Sequence, residues 1–188
     1  MKILKTTIAK SALFLALVVI LRWQCEFPSQ QWWYDVAWYS LVLVMVIRPL
    51  ADLFPRVKWL RKLVPLRKEL GILSATIVIT AMAYSAYEWK AYFWYQFFSV
   101  EYWDPRAPFA LGHIATIIAI PLLVTSNKLS MRLLKKNWKR VQRFSHLYFY
   151  LTVAYLFKEF HKTDVVVVGT IVLVLTILAY VIKNHSRE

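Results

Sequence analysis

Histidine is the residue type in this chain with the clearest capacity to ligate a cofactor, and there are four: His113, His146, His161 and His185. Helical membrane proteins hold b-type haem between two imidazoles that face each other at the same depth of a bundle. His185 belongs to the C-terminal tail. We expect His113 and His161 near one end of the bundle and His146 near the other, so a pair of His113 and His161 is conceivable and His146 has no evident partner. The alternative is that each is an ordinary hydrogen-bonded or interfacial histidine.

Other kinds of catalytic chemistry have no signal in the sequence. The single cysteine, Cys25, excludes an internal disulfide and a cysteine-only metal site. The chain has no Walker loop, HExxH motif or nucleophile elbow. No Asp, Glu, Lys or Arg falls in the middle of an apolar run, whereas proton relays and ion-coupled transporters carry such residues. A small transporter is therefore only a second alternative.

The apolar content of the chain indicates a membrane protein. Of its 188 residues 60% are hydrophobic, against about 45–50% in a typical soluble domain. Six runs without a formal charge cover residues 11–21, 36–47, 70–87, 107–127, 144–157 and 165–182. Three of them are long enough to cross about 30 Å of hydrocarbon as a helix. The three shorter ones need a second signal, and the first of them could instead be a signal peptide.

The basic residues supply that second signal. The chain has 24 Lys and Arg and a formal charge of +14, but these residues fall between the apolar runs, which argues against nucleic-acid binding. If all six runs cross the membrane, 19 of the 24 lie on one side, as expected for cytoplasmic loops. We predict an all-α integral membrane protein, a single six-helix transmembrane domain with both termini cytoplasmic. The predicted spans are 6–24, 33–53, 69–88, 107–127, 143–160 and 164–183.

Two segments between these spans are candidate interaction surfaces. Residues 88–106, between the third and fourth spans, are half aromatic, which is typical of a short helix at the membrane interface. The alternative is a platform for a quinone, a lipid or a partner subunit, formed by Trp89, Tyr92, Phe93, Trp94, Phe97 and Trp103. The basic loop before the fifth span, with Lys135, Lys136, Lys139 and Arg140, is either a simple topology signal on the lipid surface or a docking site for an acidic cytoplasmic partner.

Residues 40–180 resemble a known family. The segment LRKELGILSATIVITAMAYSAY, the Thr125-Ser126 pair and the basic segment 129–143 with Trp138 occur in the same order as in the ferric-reductase-like transmembrane family. The resemblance is strongest to the haem-binding membrane subunits of bacterial periplasmic methionine sulfoxide reductase systems. It implies b-type haem held by histidines of the third and fifth helices, electrons from a cytoplasmic reductase or the quinol pool, and a bacterial inner-membrane location.

The positions that match the family's haem ligands carry no histidine. They fall on Ala81, Gln142 and Tyr155, none of which is a usual ligand for an electron-transfer haem. We therefore expect no cofactor, and a membrane subunit that anchors or assembles a larger complex, which the resemblance suggests is redox-active, with another membrane or periplasmic protein. The alternative is a quinol-linked electron-transfer protein that holds haem b through His113, His146 or His161.

The space of the missing haem must be filled by side chains, by lipid or by quinone, because protein interiors are close-packed. We expect side chains to fill it and Tyr155 to point inward. The neighbours expected to contribute are Met82, Tyr84, His146, Tyr148 and Tyr150.

Overall fold

The computed structural model describes residues 30–185 except Pro105, and every regular element among them is helical. The predicted first span (6–24) and Cys25 lie outside the described residues. The helices in chain order are α1 (Gln30–Leu53), α2 (Lys58–Leu63), α3 (Leu66–Phe98), α4 (Pro108–Thr125), α5 (Lys128–Leu134), α6 (Lys136–Phe160) and α7 (Thr163–His185), with a short 3-10 turn at Glu101–Trp103.

Four of these helices are long and apolar enough to cross a membrane: Trp32–Leu53, Leu66–Phe98, Pro108–Thr125 and Thr163–Ile182. They correspond to the second, third, fourth and sixth predicted spans, so the all-helical membrane character of the prediction is confirmed. Helix α6 covers the predicted fifth span. Its first turns are basic, and its 14 uncharged residues from 144 to 157 would extend only about 21 Å as a helix. A count of six spans and the orientation of the termini stay predictions.

Local sequence signals account for several helix ends. Helix α4 starts with Pro108, where the missing amide hydrogen costs nothing, after an extended Ala107. Helix α5 is capped by Asn127, whose side-chain oxygen accepts a hydrogen bond from the Ser130 amide at 2.7 Å. Helix α3 is broken at Lys90, which has φ 44° and ψ −120°. The predicted third span ends at residue 88, two residues before this break. The charged residues Glu88 and Lys90 interrupt the apolar sequence there.

The core is formed where α1, α3, α4, α6 and α7 pack together. At its centre the Trp38 and Phe149 rings stack with centroids 5.7 Å apart and an interplanar angle of 6°. Small residues on the inward face of α4, Ala115 and Ala119, are buried. They let neighbouring helices approach closely, as is common between helices in membranes.

Helix α7 joins the bundle through a narrow stripe. Its buried residues are Val165, Gly169, Val172 and Ala179, which are separated by three, four or seven positions and so share one side of the helix. At Gly169 a Cβ atom would lie 3.3 Å from the Val153 side chain of α6. The other faces of α7 expose valine, isoleucine and leucine side chains, as expected for a helix that faces lipid.

Candidate functional site

The three positions at which the resemblance predicted haem ligands, Ala81, Gln142 and Tyr155, are used for packing and hydrogen bonding. Ala81 is buried in α3. Gln142, in α6, donates a hydrogen bond from Nε2 to Thr125 Oγ1 at 3.2 Å. The ring of Tyr155 lies against Gly112 so closely that a Cβ atom there would be 3.1 Å from it. All three positions are therefore occupied by structural contacts.

A small cavity lies between α1, α3, α4 and α6, close to Tyr155. Its lining includes Trp38, Leu41, Ser74, Gly112, Tyr148 and Tyr155, and its volume is about 70 Å³. For comparison, an engineered apolar cavity that binds benzene has a volume of about 150 Å³. A porphyrin does not fit. Both tyrosines point into the bundle as predicted, and the Tyr148 hydroxyl lies 3.4 Å from Ser74 Oγ of α3.

The three candidate histidines lie in different environments. His113 is half-buried in α4, where Nδ1 lies 2.9 Å from both the Phe109 carbonyl and the Tyr102 hydroxyl, and Nε2 lies 3.2 Å from the same hydroxyl. Both nitrogens of this ring are therefore engaged. His161 is exposed and ends α6 in a left-handed conformation with φ 53°. His146 is exposed toward the N-terminal part of α6.

In the part of the chain that the structure describes, no three His, Cys, Asp or Glu residues come together as a metal-binding group.

The aromatic segment forms a packed cluster over the start of α4, which we call the aromatic cap: Phe93, Phe97, Tyr102, Trp103 and His113. Phe93 is 6% exposed, and its ring stacks on Phe97 with centroids 5.9 Å apart. Trp103 closes the loop by donating from Nε1 to the Phe97 carbonyl at 2.7 Å. Burial raises the pKa of Tyr102, so its hydroxyl stays protonated at neutral pH and can donate to His113.

The opposite side of the same segment is exposed. We call it the aromatic face: Trp89, Tyr92, Trp94, Tyr95 and Phe98. Three of these were predicted as interface residues, whereas the predicted Phe93 is buried and Phe97 and Trp103 are half-buried within the cap. The two most exposed rings, Tyr95 at 78% and Phe98 at 76%, were missed. The i, i+4 spacing of Phe93 and Phe97 does not identify the buried side, because the exposed Trp94 and Phe98 have the same spacing.

The four predicted basic residues, Lys135, Lys136, Lys139 and Arg140, are all exposed at the other end of the bundle. Lys135 links α5 to α6 with φ 47°. Nearby, Trp138 donates from Nε1 to the Thr125 carbonyl at 3.0 Å, which ties the start of α6 to the end of α4. Sequence reasoning assigned these cations to a loop, whereas Lys136, Lys139 and Arg140 lie in the first turns of α6 and only Lys135 links it to the short helix α5.

Comparison with known proteins adds no relative: no family model matches the chain, and neither a curated protein nor a solved structure is significantly similar to it. The resemblance to the ferric-reductase-like family therefore stays a prediction.

Proposed function

We propose that this protein is a non-catalytic subunit of a membrane complex and that it binds another membrane or periplasmic protein through the aromatic face. The observation that carries the proposal is the arrangement of residues 89–103, in which one side is packed into the cap and the other presents five large rings to the surroundings. Aromatic side chains are enriched at the centres of protein interfaces. A contiguous exposed aromatic patch is typical of an interaction site.

The aromatic face is held in place by the protein itself. Phe93 anchors it to the bundle, and the Trp103–Phe97 hydrogen bond fixes the chain that follows. A pre-organised surface loses little conformational entropy when a partner binds, so more of the contact energy appears as affinity. This favours a built docking surface over a loose interfacial segment.

The proposal includes the location and the ancestry that the sequence suggests. We place the protein in the bacterial inner membrane with cytoplasmic termini, as a ferric-reductase-like subunit without haem of its own. The cavity of about 70 Å³ and the engaged nitrogens of His113 favour this over the electron-transfer alternative.

Purification from native membranes in mild detergent tests the docking surface. We expect the double variant Tyr95→Ala/Phe98→Ala to lose the larger complex on a native gel, because it removes the two most exposed rings. The matched control is Ile177→Ala/Leu178→Ala, two exposed apolar residues of α7, which should keep the complex. An unchanged complex in the aromatic variant would contradict the proposal.

An absorbance spectrum of the same preparation tests the absence of haem separately. We expect no Soret band. A Soret band with reduced alpha bands that is lost in His113→Ala would instead favour the electron-transfer alternative.

A further inference from the structure

The basic end of the bundle carries two short helices that combine cations with exposed apolar side chains. In α2, Lys58, Arg61 and Lys62 are exposed beside Trp59, whose side chain is 61% exposed. In α5 and at its end, Arg132 and Lys135 flank Leu133, which is 73% exposed. A helix that displays both kinds of side chain is stable where water meets hydrocarbon, because each group then finds its preferred surroundings.

The cations of this end have few carboxylates to neutralise them. Residues 53–68 and 128–143 contain no Asp or Glu, and the nearest carboxylates along the chain are Asp52 and Glu69. Asp52 is paired with Arg48 at 3.0 Å. The ion pair between Lys162, in the link from α6 to α7, and Asp35, near the start of α1, lies at the opposite end of the bundle. Among the described residues, carboxylates therefore neutralise only a small part of the charge of the basic end.

The backbone presents these cations in a defined way. Asn127 caps the start of α5, Lys135 turns the chain with φ 47°, and Trp138 fixes the first turn of α6 to α4. The guanidinium and ammonium groups of Arg132, Lys136, Lys139 and Arg140 thus belong to a fixed elbow that follows α4, a helix long and apolar enough to cross a membrane.

We propose that the basic end, namely α2 together with the α5–α6 elbow, binds the phosphate headgroups of anionic phospholipids. Charge-assisted hydrogen bonds from Lys and Arg to phosphate oxygens would supply the polar contact. Trp59, Leu129, Met131 and Leu133 would enter the adjacent acyl region. These exposed apolar side chains favour lipid over an acidic protein, because a soluble acidic surface would leave them in water.

The test uses the full-length protein in phosphatidylcholine vesicles with spin-labelled phosphatidylglycerol or spin-labelled phosphatidylcholine as probe. Electron paramagnetic resonance measures the fraction of each probe held at the protein surface. We expect the wild type to prefer phosphatidylglycerol. The variant Arg132→Gln/Lys136→Gln/Lys139→Gln/Arg140→Gln should lose about fivefold of that preference, a factor equivalent to about 1 kcal/mol. Lys135 is left unchanged because of its positive φ.

The matched control exchanges the cations without removing charge, as Arg132→Lys/Lys136→Arg/Lys139→Arg/Arg140→Lys, and should keep the preference. High salt offers a readout that needs no substitution: in about 1 M salt the Debye length is about 3 Å, and the wild-type preference should fall. A preference that survives both neutralisation and high salt overturns the proposal. The proposal is also overturned if the fourfold neutralised variant keeps the lipid preference but no longer binds an acidic protein partner. The aromatic-face variant should behave as wild type here, so this proposal and the proposed function can fail separately.

Discussion

The two ends of the bundle differ in what holds them in shape. At the aromatic end, among the described residues, six acidic residues accompany four basic ones, whereas the other end has fifteen basic residues and two acidic ones. The aromatic end is built from contacts among its own side chains, such as Phe93 on Phe97. The basic end has little internal neutralisation, so its charges depend on the surroundings. Substitutions inside the aromatic cap should therefore lower stability, and those of the exposed cations at the basic end should mainly change interactions.

Truncation of the cap anchor should have the largest effect. Phe93→Ala removes a ring that is 6% exposed and should lower the free energy of unfolding by about 3–5 kcal/mol. Thermal unfolding in detergent, followed by circular dichroism, measures the loss. Tyr95→Ala, on the exposed side of the same helix, serves as control and should unfold within a few degrees of the wild type. Equal losses in both variants would show that the cap is not packed as described.

A smaller effect should follow from crowding α4 at the same end. In Gly112→Ala the new Cβ atom would lie 3.1 Å from the Tyr155 ring, and overpacking of this kind costs about 1–3 kcal/mol. Gly71→Ala is the control, because its Cβ would be 3.9 Å from Val44. There the better helix propensity of alanine should stabilise the helix by up to about 1 kcal/mol. Chemical denaturation of the two variants in the same micelle would reveal opposite signs, and a common sign would argue against close packing at Gly112.

Loss of the Tyr102 hydroxyl tests the polar contact inside the cap. Tyr102→Phe leaves the ring but removes the donor to His113, and should cost about 1 kcal/mol. The nitrogen resonances of His113 should shift as well, which nuclear magnetic resonance of histidine-labelled protein can detect. Tyr92→Phe is a suitable comparison because Tyr92 is exposed, and His113 resonances that respond equally to both changes would exclude a specific contact.

The smallest effect is expected at the basic end, where one hydrogen bond supports the elbow. Trp138→Phe removes the indole donor to the Thr125 carbonyl and should lower stability by about 0.5–1 kcal/mol. Trp59→Phe, at an exposed indole, should leave the unfolding midpoint unchanged. A loss larger than that of Phe93→Ala would reverse the contrast between the two ends.

Sequence reasoning located the long helices because charge and hydropathy mark their ends directly. The span predicted at 107–127 is observed as Pro108–Thr125, and that predicted at 164–183 as Thr163–His185. The short helices α2 and α5 were not predicted, because six or seven residues are too few for a clear period. The buried side of the aromatic segment was also missed, since its helical register is reset at Lys90, where φ is 44°. Tertiary packing sets the helical register after Lys90, and the composition of the segment does not predict it.

The way α7 is attached has a consequence for the order in which the bundle comes apart. Lipid tails are as apolar as the outward valines and leucines of α7, so the hydrophobic effect does not press this helix onto its neighbours. Among the described residues, the close fit of the stripe from Val165 to Ala179 keeps it in place. Under a pulling force applied at the C-terminus, α7 should be extracted first and in one step, while the helices that enclose the Trp38–Phe149 stack remain folded in the membrane.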